Sequence, residues 1–140
     1  MNKIKIDGLI SPACDALEKV KIVNDDKIDN AWNGQIASFG ASIATGSLLA
    51  AVAFFSTESE KTKVDDRSKL IKAIFELIET TEKDGCKSLF DYVVRKKKDG
   101  KERSAKENII NAAIALKLAM KVYDLGKGDK NNVEPSKNES

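Results

Sequence analysis

A long run without a single charged side chain, from Asn30 to Thr57, constrains this chain more than any other feature. Its apolar residues fall at helical spacing in two sets, Ile36 to Ile43 and Leu48 to Phe55. Gly46-Ser47 lies between the sets, where it either bends one helix or separates two. The pattern predicts helical structure that is buried on most sides.

The same run is long enough to span a bilayer, so a small membrane protein is the alternative that it raises. Hydroxyl and amide side chains dilute the apolarity of its first half, from Gln35 to Ser47. No one-sided Lys/Arg flank sets an orientation, and aromatic residues do not form belts at both edges. Because the amphipathic helices elsewhere need a central partner, we favour a buried core. The amino-terminal residues lack the apolar stretch of a signal peptide, so a cytoplasmic location is expected.

Helices are also predicted on both sides of this run. Ser11 as N-cap and Pro12 at the first helical position predict the start of the first helix. Periodic apolar residues predict three more helices, over 68–83, 88–97 and 104–125. Lys72 and Glu76, in the predicted helix 68–83, are four residues apart and could pair.

Length and composition predict one domain. At 140 residues, with no convincing strand, the chain is expected to form an all-α, compact single-domain bundle of five or six helices over 1–125. The polar residues 126–140 are expected to be a disordered tail.

Further expectations concern single side chains in the predicted helices. Four apolar side chains should face inward: Phe90, Val94, Leu118 and Val122. Asn111 should face water.

Composition argues against catalysis. The chain has no histidine, which removes the commonest general base near neutral pH and the commonest zinc ligand. Cys14 and Cys86 are far apart and read as small buried residues. The carboxylate pairs 25–26 and 65–66 lie beside predicted helix starts, where capping explains them. No phosphate-binding loop motif occurs. We therefore expect no enzyme, cofactor, metal or small-molecule substrate.

Basic residues are locally concentrated although the net charge is only +2. The run Arg95 to Lys98 is followed by Lys101, Arg103 and Lys106. Two interpretations stay open: a solvated helix end, where cations suit the helix dipole, or a surface that contacts nucleic-acid phosphates. Tyr92 is the nearest aromatic residue that could stack on a base. We expect Trp32, the sole tryptophan, to be a core or lid residue.

Several segments resemble a known family. These are SFGASIATGSLLAAVAFFS, VDDRSKLIKAIFELI and NAAIALKLAMKVYDL, within the range 28–125. They resemble the small helical subunit of type III-B CRISPR effector complexes, the Cmr complexes. The family-motif core positions are matched by Ile43, Leu48, Ala53 and Phe54. Gly46-Ser47 departs from the Asn-Gly that many members carry there.

The resemblance implies a small helical bundle without nuclease activity. Such subunits stack on copies of themselves into the minor filament of the complex, beside other Cmr subunits, and line the groove where guide RNA pairs with target RNA. On this basis we expect a role in antiviral defence. The candidate RNA contacts are the outward-facing basic residues Lys69, Lys72, Arg95, Lys96, Lys97, Lys98, Lys117 and Lys121.

Two rival functions remain open beside the membrane alternative. One is the corresponding small subunit of the related type III-A, or Csm, complex. The other is a helical protein-interaction adaptor without an RNA role.

Overall fold

The longest helix lies at the centre of the molecule and packs against most of the other elements. In the computed structural model, residues 3–25, 27–56, 68–81 and 85–132 are described, with the backbone alone for 79–81 and 124–132. This part of the chain contains six helices: α1 (Lys3–Lys19), α2 (Ala31–Thr45), α3 (Leu48–Ser56), α4 (Ser68–Thr81), α5 (Leu89–Lys98) and α6 (Glu102–Asn132). Helix α6 packs against α1, α2, α4 and α5. The predicted all-α fold is confirmed.

The connection between α1 and α2 contains a short antiparallel hairpin that the sequence did not indicate. Strands β1 (Val23–Asn24) and β2 (Lys27–Ile28) pair with Val23 opposite Ile28 and Asn24 opposite Lys27. Ile22, Val23 and Ile28 are buried, and β2 contacts α6. Two-residue strands are too short for an alternating pattern, which is why sequence periodicity missed them.

The predicted start of the first helix is wrong. Helix α1 begins at Lys3, so Ser11 and Pro12 lie in its interior. The reason is burial: Ile6 and Leu9 continue the apolar stripe towards the amino terminus and are buried against the bundle. Proline lacks the N–H that would bond to the carbonyl of Gly8, but Gly8 is exposed, so water can hydrate that carbonyl.

The charge-free run forms two helices, and Gly46-Ser47 separates them. The Gly46 N–H donates to the Ser42 carbonyl at 3.0 Å and closes α2. The Ser47 hydroxyl accepts from the Ala50 N–H at 3.2 Å and caps α3. The rings of Phe39 and Phe55 meet edge to face at 5.2 Å across the corner. No helix in the described part of the chain is both long and apolar enough to cross a membrane.

Two of the four family-motif core positions do not lie in the core. Ile43 and Leu48 are buried, whereas Ala53 is exposed and Phe54 is 60% exposed. Helix α3 buries one face only, formed by Leu48, Ala51, Val52 and Phe55. Because successive helical residues are about 100° apart, positions 53 and 54 fall outside that face.

Helices α4 and α5 differ from expectation in their side-chain contacts. Glu76 pairs with Lys19 of α1 at 3.1 Å rather than with Lys72. In α5, Leu89, Tyr92 and Val93 are buried, while Phe90 is 40% exposed and Val94 is half-buried, so the predicted inward face is wrong for Phe90. Tyr92 takes the inward position because it lies three residues from Leu89 on the face towards α6.

Helix α6 corrects three further expectations. Leu118 and Val122 are exposed, at 37% and 53%, and Asn111 is buried. Helix α6 runs to Asn132, so the expected domain boundary at residue 125 falls inside it. The rest of the expected tail, 133–140, lies outside the described residues, as do Asp26, Asp65 and Asp66.

Candidate nucleic-acid interface

The turn between α5 and α6 is fixed by backbone hydrogen bonds at the end of α5. The Gly100 N–H donates to the Lys97 carbonyl at 3.1 Å, and the Lys101 N–H donates to the Lys96 carbonyl at 2.7 Å. Gly100 has φ +73°, a conformation that glycine adopts without strain. This tight turn brings the last turn of α5 beside the first turn of α6.

Three cations from these two helices share one surface cleft with the α2–α3 corner. We call it the corner cleft; it has a volume of about 430 Å³ and is lined by Gly46, Ser47, Leu48, Lys97, Glu102, Arg103 and Lys106. In the part of the chain that the structure describes, Lys97, Arg103 and Lys106 have no ion-pair partner. Three cations against the single carboxylate of Glu102 leave the cleft positive, which suits an anionic ligand.

Two neighbouring cations of α5, Arg95 and Lys96, contact side chains of their own helix. Arg95 Nε lies 3.5 Å from the Asp91 carboxylate. Lys96 Nζ lies 5.7 Å from the centroid of the Tyr92 ring, within the range of a cation–π contact. Of the run Arg95 to Lys98, only Lys97 lines the corner cleft.

Lys69 lies in a second cleft, on the hairpin. We call it the hairpin cleft; it has a volume of about 520 Å³ and is lined by Lys21, Ile22, Asn24, Lys27, Ile28, Asp29, Trp32 and Lys69. Lys21 and Lys27 were not among the residues predicted from sequence. The only signal for them is their position on either side of Asn24-Asp25, two residue types that favour turns.

The remaining predicted contacts lie outside both clefts. Lys72, Lys98, Lys117 and Lys121 are all exposed, on α4, α5 and α6, and none lines the corner cleft or the hairpin cleft. The eight predicted residues therefore do not form one surface. Whether each contacts RNA stays a prediction.

Neither aromatic candidate is available for stacking. Tyr92 is buried, and its hydroxyl accepts a hydrogen bond from Asn108 Nδ2 at 3.0 Å, which ties α5 to α6. A base could not reach its ring face. Trp32 is also buried. Of the two predictions for it, a core residue or a lid residue, the first is therefore correct.

The thiol of Cys14 is a poor candidate for a nucleophile. Burial raises the pKa of the Cys14 thiol above its ordinary value, the charges of Asp15 and Glu18 raise it further, and a hydrogen bond with Tyr123 acts in the opposite direction. A raised pKa reduces the thiolate fraction at neutral pH. Over the described residues, no group of His, Cys, Asp and Glu side chains could hold a metal ion.

Fold and clefts together define the class: a small helical-bundle protein with positive surface clefts suited to an anionic partner. The family model described as CRISPR-associated protein (Cas_Cmr5) matches residues 11–120, and the chain belongs to this family. It is therefore a CRISPR-associated Cmr small subunit, a component of a complex with other Cmr subunits.

The match supports the Cmr assignment over the Csm alternative and begins in α1, ahead of the range 28–125 in which the resemblance was noted. Neither the comparison with curated proteins nor the comparison with solved structures gave a match.

Proposed function

We propose that this subunit is a non-catalytic, cytoplasmic component of antiviral defence that stacks on copies of itself and helps to hold guide RNA paired with target RNA. The observation that carries the RNA role is the corner cleft, where three cations with no ion-pair partner in the described part of the chain converge, in a chain of the Cmr family. The stacking role rests on the family resemblance.

The chemistry of the corner cleft suits a phosphate. Arg103 offers a planar fork of donors that matches phosphate oxygens, and Lys97 and Lys106 add point charges. Such contacts position a nucleic acid without reading its sequence, as a subunit that serves many guides requires.

The charge balance suits stacking. With 24 basic and 22 acidic side chains, copies carry a net charge of only +2 and repel one another weakly. When several copies contact one RNA, weak contacts in each copy add up to firm retention.

A non-catalytic role agrees with the side chains present. The chain has no histidine, and the pKa of Cys14 is raised. Purified protein incubated with single-stranded RNA and with guide–target duplex should leave both uncut; protein-dependent cleavage that survives further purification would contradict the proposal.

The RNA role is tested in the assembled complex. A variant with Lys97→Gln and Lys106→Gln is compared with a control, Lys3→Gln and Lys87→Gln, which removes the same charge from exposed positions outside the clefts. Filter binding of target RNA to guide-loaded complexes is measured over a salt series. We expect weaker binding for the corner-cleft variant only, with a logarithmic salt slope smaller by about 0.7 to 0.9 for each phosphate that the variant no longer neutralises. Equal affinity and slope for the two variants would reject the corner cleft as an RNA-binding surface.

A further inference from the structure

The hairpin cleft is separate from the corner cleft and shares no residue with it. We propose that it is a second phosphate-binding site, in which Lys21, Lys27 and Lys69 hold one phosphate group between the hairpin and α4. The inference rests on the proposed function only for the origin of the phosphate, which we assign to the RNA backbone.

The hairpin holds two of the three lysines in place. Lys21 has φ +67°, and its N–H donates to the Glu18 carbonyl at 3.1 Å. Asn24 Nδ2 donates to the Lys21 carbonyl at 3.1 Å, and Asn24 pairs with Lys27 across the hairpin. These bonds connect Lys21 to Lys27 through Asn24.

The base of the cleft is rigid. Ile22, Ile28 and Trp32 line it and are at most 2% exposed, because they belong to the main core. Lys69, in the first turn of α4, lines the cleft together with the hairpin. Since α4 and the hairpin are both anchored in one core, the three backbone positions need no rearrangement to receive a ligand.

The lining of the cleft holds three lysines and one carboxylate, so its net charge is positive. Lys21, Lys27 and Lys69 have no ion-pair partner among the residues that the structure describes. The one carboxylate in the lining, Asp29, already accepts a hydrogen bond from the Ala31 N–H at 2.9 Å, at the start of α2. Three ammonium groups around one cleft repel one another, and a shared anion removes that repulsion.

The ligand chemistry follows from the donors. Lysine ammonium groups only donate hydrogen bonds, so three of them require a ligand with several acceptor oxygens and a negative charge. A backbone phosphodiester has two unesterified oxygens and one negative charge, as a carboxylate has, but the neighbouring phosphates of the same RNA strand add further acceptors and further charge. The cleft has a volume of about 520 Å³, which is large enough to admit a phosphodiester with the sugars on either side.

Trp32 is the sole tryptophan and lines this cleft, so a ligand that binds in the cleft can be followed by tryptophan fluorescence. The full chain is titrated with inorganic phosphate, with a ten-nucleotide single-stranded RNA and with poly-glutamate, all at one ionic strength. We expect a saturable change in Trp32 emission with phosphate and with RNA, which disappears as salt is raised.

The decisive variant carries Lys21→Asn, Lys27→Gln and Lys69→Gln; asparagine is chosen because it tolerates positive φ. We expect the Trp32 response to RNA to need about tenfold more RNA in this variant. The matched control, Lys3→Gln, Lys5→Gln and Lys87→Gln, removes the same charge from exposed positions outside both clefts. The control should respond as the unchanged chain does. Matching circular dichroism spectra and unfolding midpoints show that both variants are folded, and single-lysine variants replace the triple if they do not match.

Three outcomes would overturn the inference: no Trp32 response to phosphate or RNA, equal responses in the two variants, or a response to poly-glutamate alone, which would assign the cleft to an acidic protein partner. A response to phosphate without one to RNA would keep the phosphate site and reject the RNA backbone as its source. If the Trp32 response fails while the corner-cleft variant still weakens RNA retention in the complex, the inference fails and the proposed function stands. If Trp32 responds but the corner-cleft substitutions leave RNA retention unchanged, the corner cleft is rejected as an RNA-binding surface and the inference about the hairpin cleft stands.

Discussion

At the scale of single residues, neighbouring basic side chains have different environments. Arg95 pairs with Asp91, Lys96 lies against the Tyr92 ring, and Lys97 lines the corner cleft with no ion-pair partner among the residues that the structure describes. A cation that is already paired within its helix gains less from an added phosphate than a free one. Lys97 is therefore the residue of this run that we expect to contribute most to RNA binding.

The reactivity of Cys14 is a prediction at this scale. In a Cys86→Ser chain, which isolates Cys14, alkylation by iodoacetamide should be slower in the folded protein than in denaturant. Burial, followed by the charges of Asp15 and Glu18, raises the pKa of the folded thiol and so lowers its thiolate fraction. The difference should fade as the pH rises through the folded pKa, where both states are thiolate. Equal rates near neutral pH would contradict it.

The same shift has a consequence for stability. The folded state holds the Cys14 proton more tightly than the unfolded state does, so the bound proton stabilises the folded protein. This stabilisation is fully present at pH values below the pKa of the unfolded thiol. It is lost as the pH rises through the raised pKa of the folded thiol.

At the scale of elements, the helices are set by burial more than by local signals. Ser11 and Pro12 form a strong local start signal, yet α1 continues through them. Ser47 is the opposite case, because its hydroxyl caps α3 as its residue type favours. The difference is that apolar residues on both sides of Pro12 lie on one stripe that packs against α6, whereas the apolar face of α2 ends at Ile43 and a new one begins at Leu48.

Helix α1 therefore supports a paired prediction. Pro12→Ala restores an N–H that can bond to the Gly8 carbonyl, and we expect a gain of about 1 to 3 kcal/mol in the free energy of unfolding. Ser11→Ala at the neighbouring exposed position should change it by less than about 0.5 kcal/mol. Urea unfolding of both variants measures the effect. If Ser11 were the N-cap, Ser11→Ala would instead cost about 1 kcal/mol and Pro12→Ala would bring no gain.

At the scale of the whole molecule, α6 is the element around which the bundle is organised. It contacts α1, α2, α4, α5 and β2, and its buried residues extend from Ala105 to Met120. Tyr123 on α6 adds a hydrogen bond to Glu18 of α1 at 3.0 Å. A loss of packing on α6 should therefore weaken the entire bundle rather than one end of it.

Two leucines on α6 test this arrangement. Leu116 is fully buried, whereas Leu118 is 37% exposed. Leu116→Ala should cost about 2 to 5 kcal/mol of the free energy of unfolding, while Leu118→Ala should cost about 1 kcal/mol or less. One cooperative transition by fluorescence and by circular dichroism is expected for both. Similar losses for the two variants would contradict the burial of α6 described above.

Sequence alone determined the features that depend on neighbours along the chain. The period of apolar residues predicted helices on both sides of a buried charge-free run, and Gly46-Ser47 was recognisable as the point where that run bends or divides. The order of the quoted segments pointed to the Cmr small-subunit family, which the family match confirms. These predictions held because helical periodicity and glycine conformation are local properties.

Only the tertiary structure decided which lysines meet. Lys69 lies far along the chain from Lys21 and Lys27, and the three share a cleft because the hairpin and α4 pack on one core. Ala53 and Phe54 are exposed for a related reason, since only one face of α3 is buried among the described residues. Periodicity shows which residues share a face of a helix, but contacts between distant segments decide whether that face is covered and which charges it brings together.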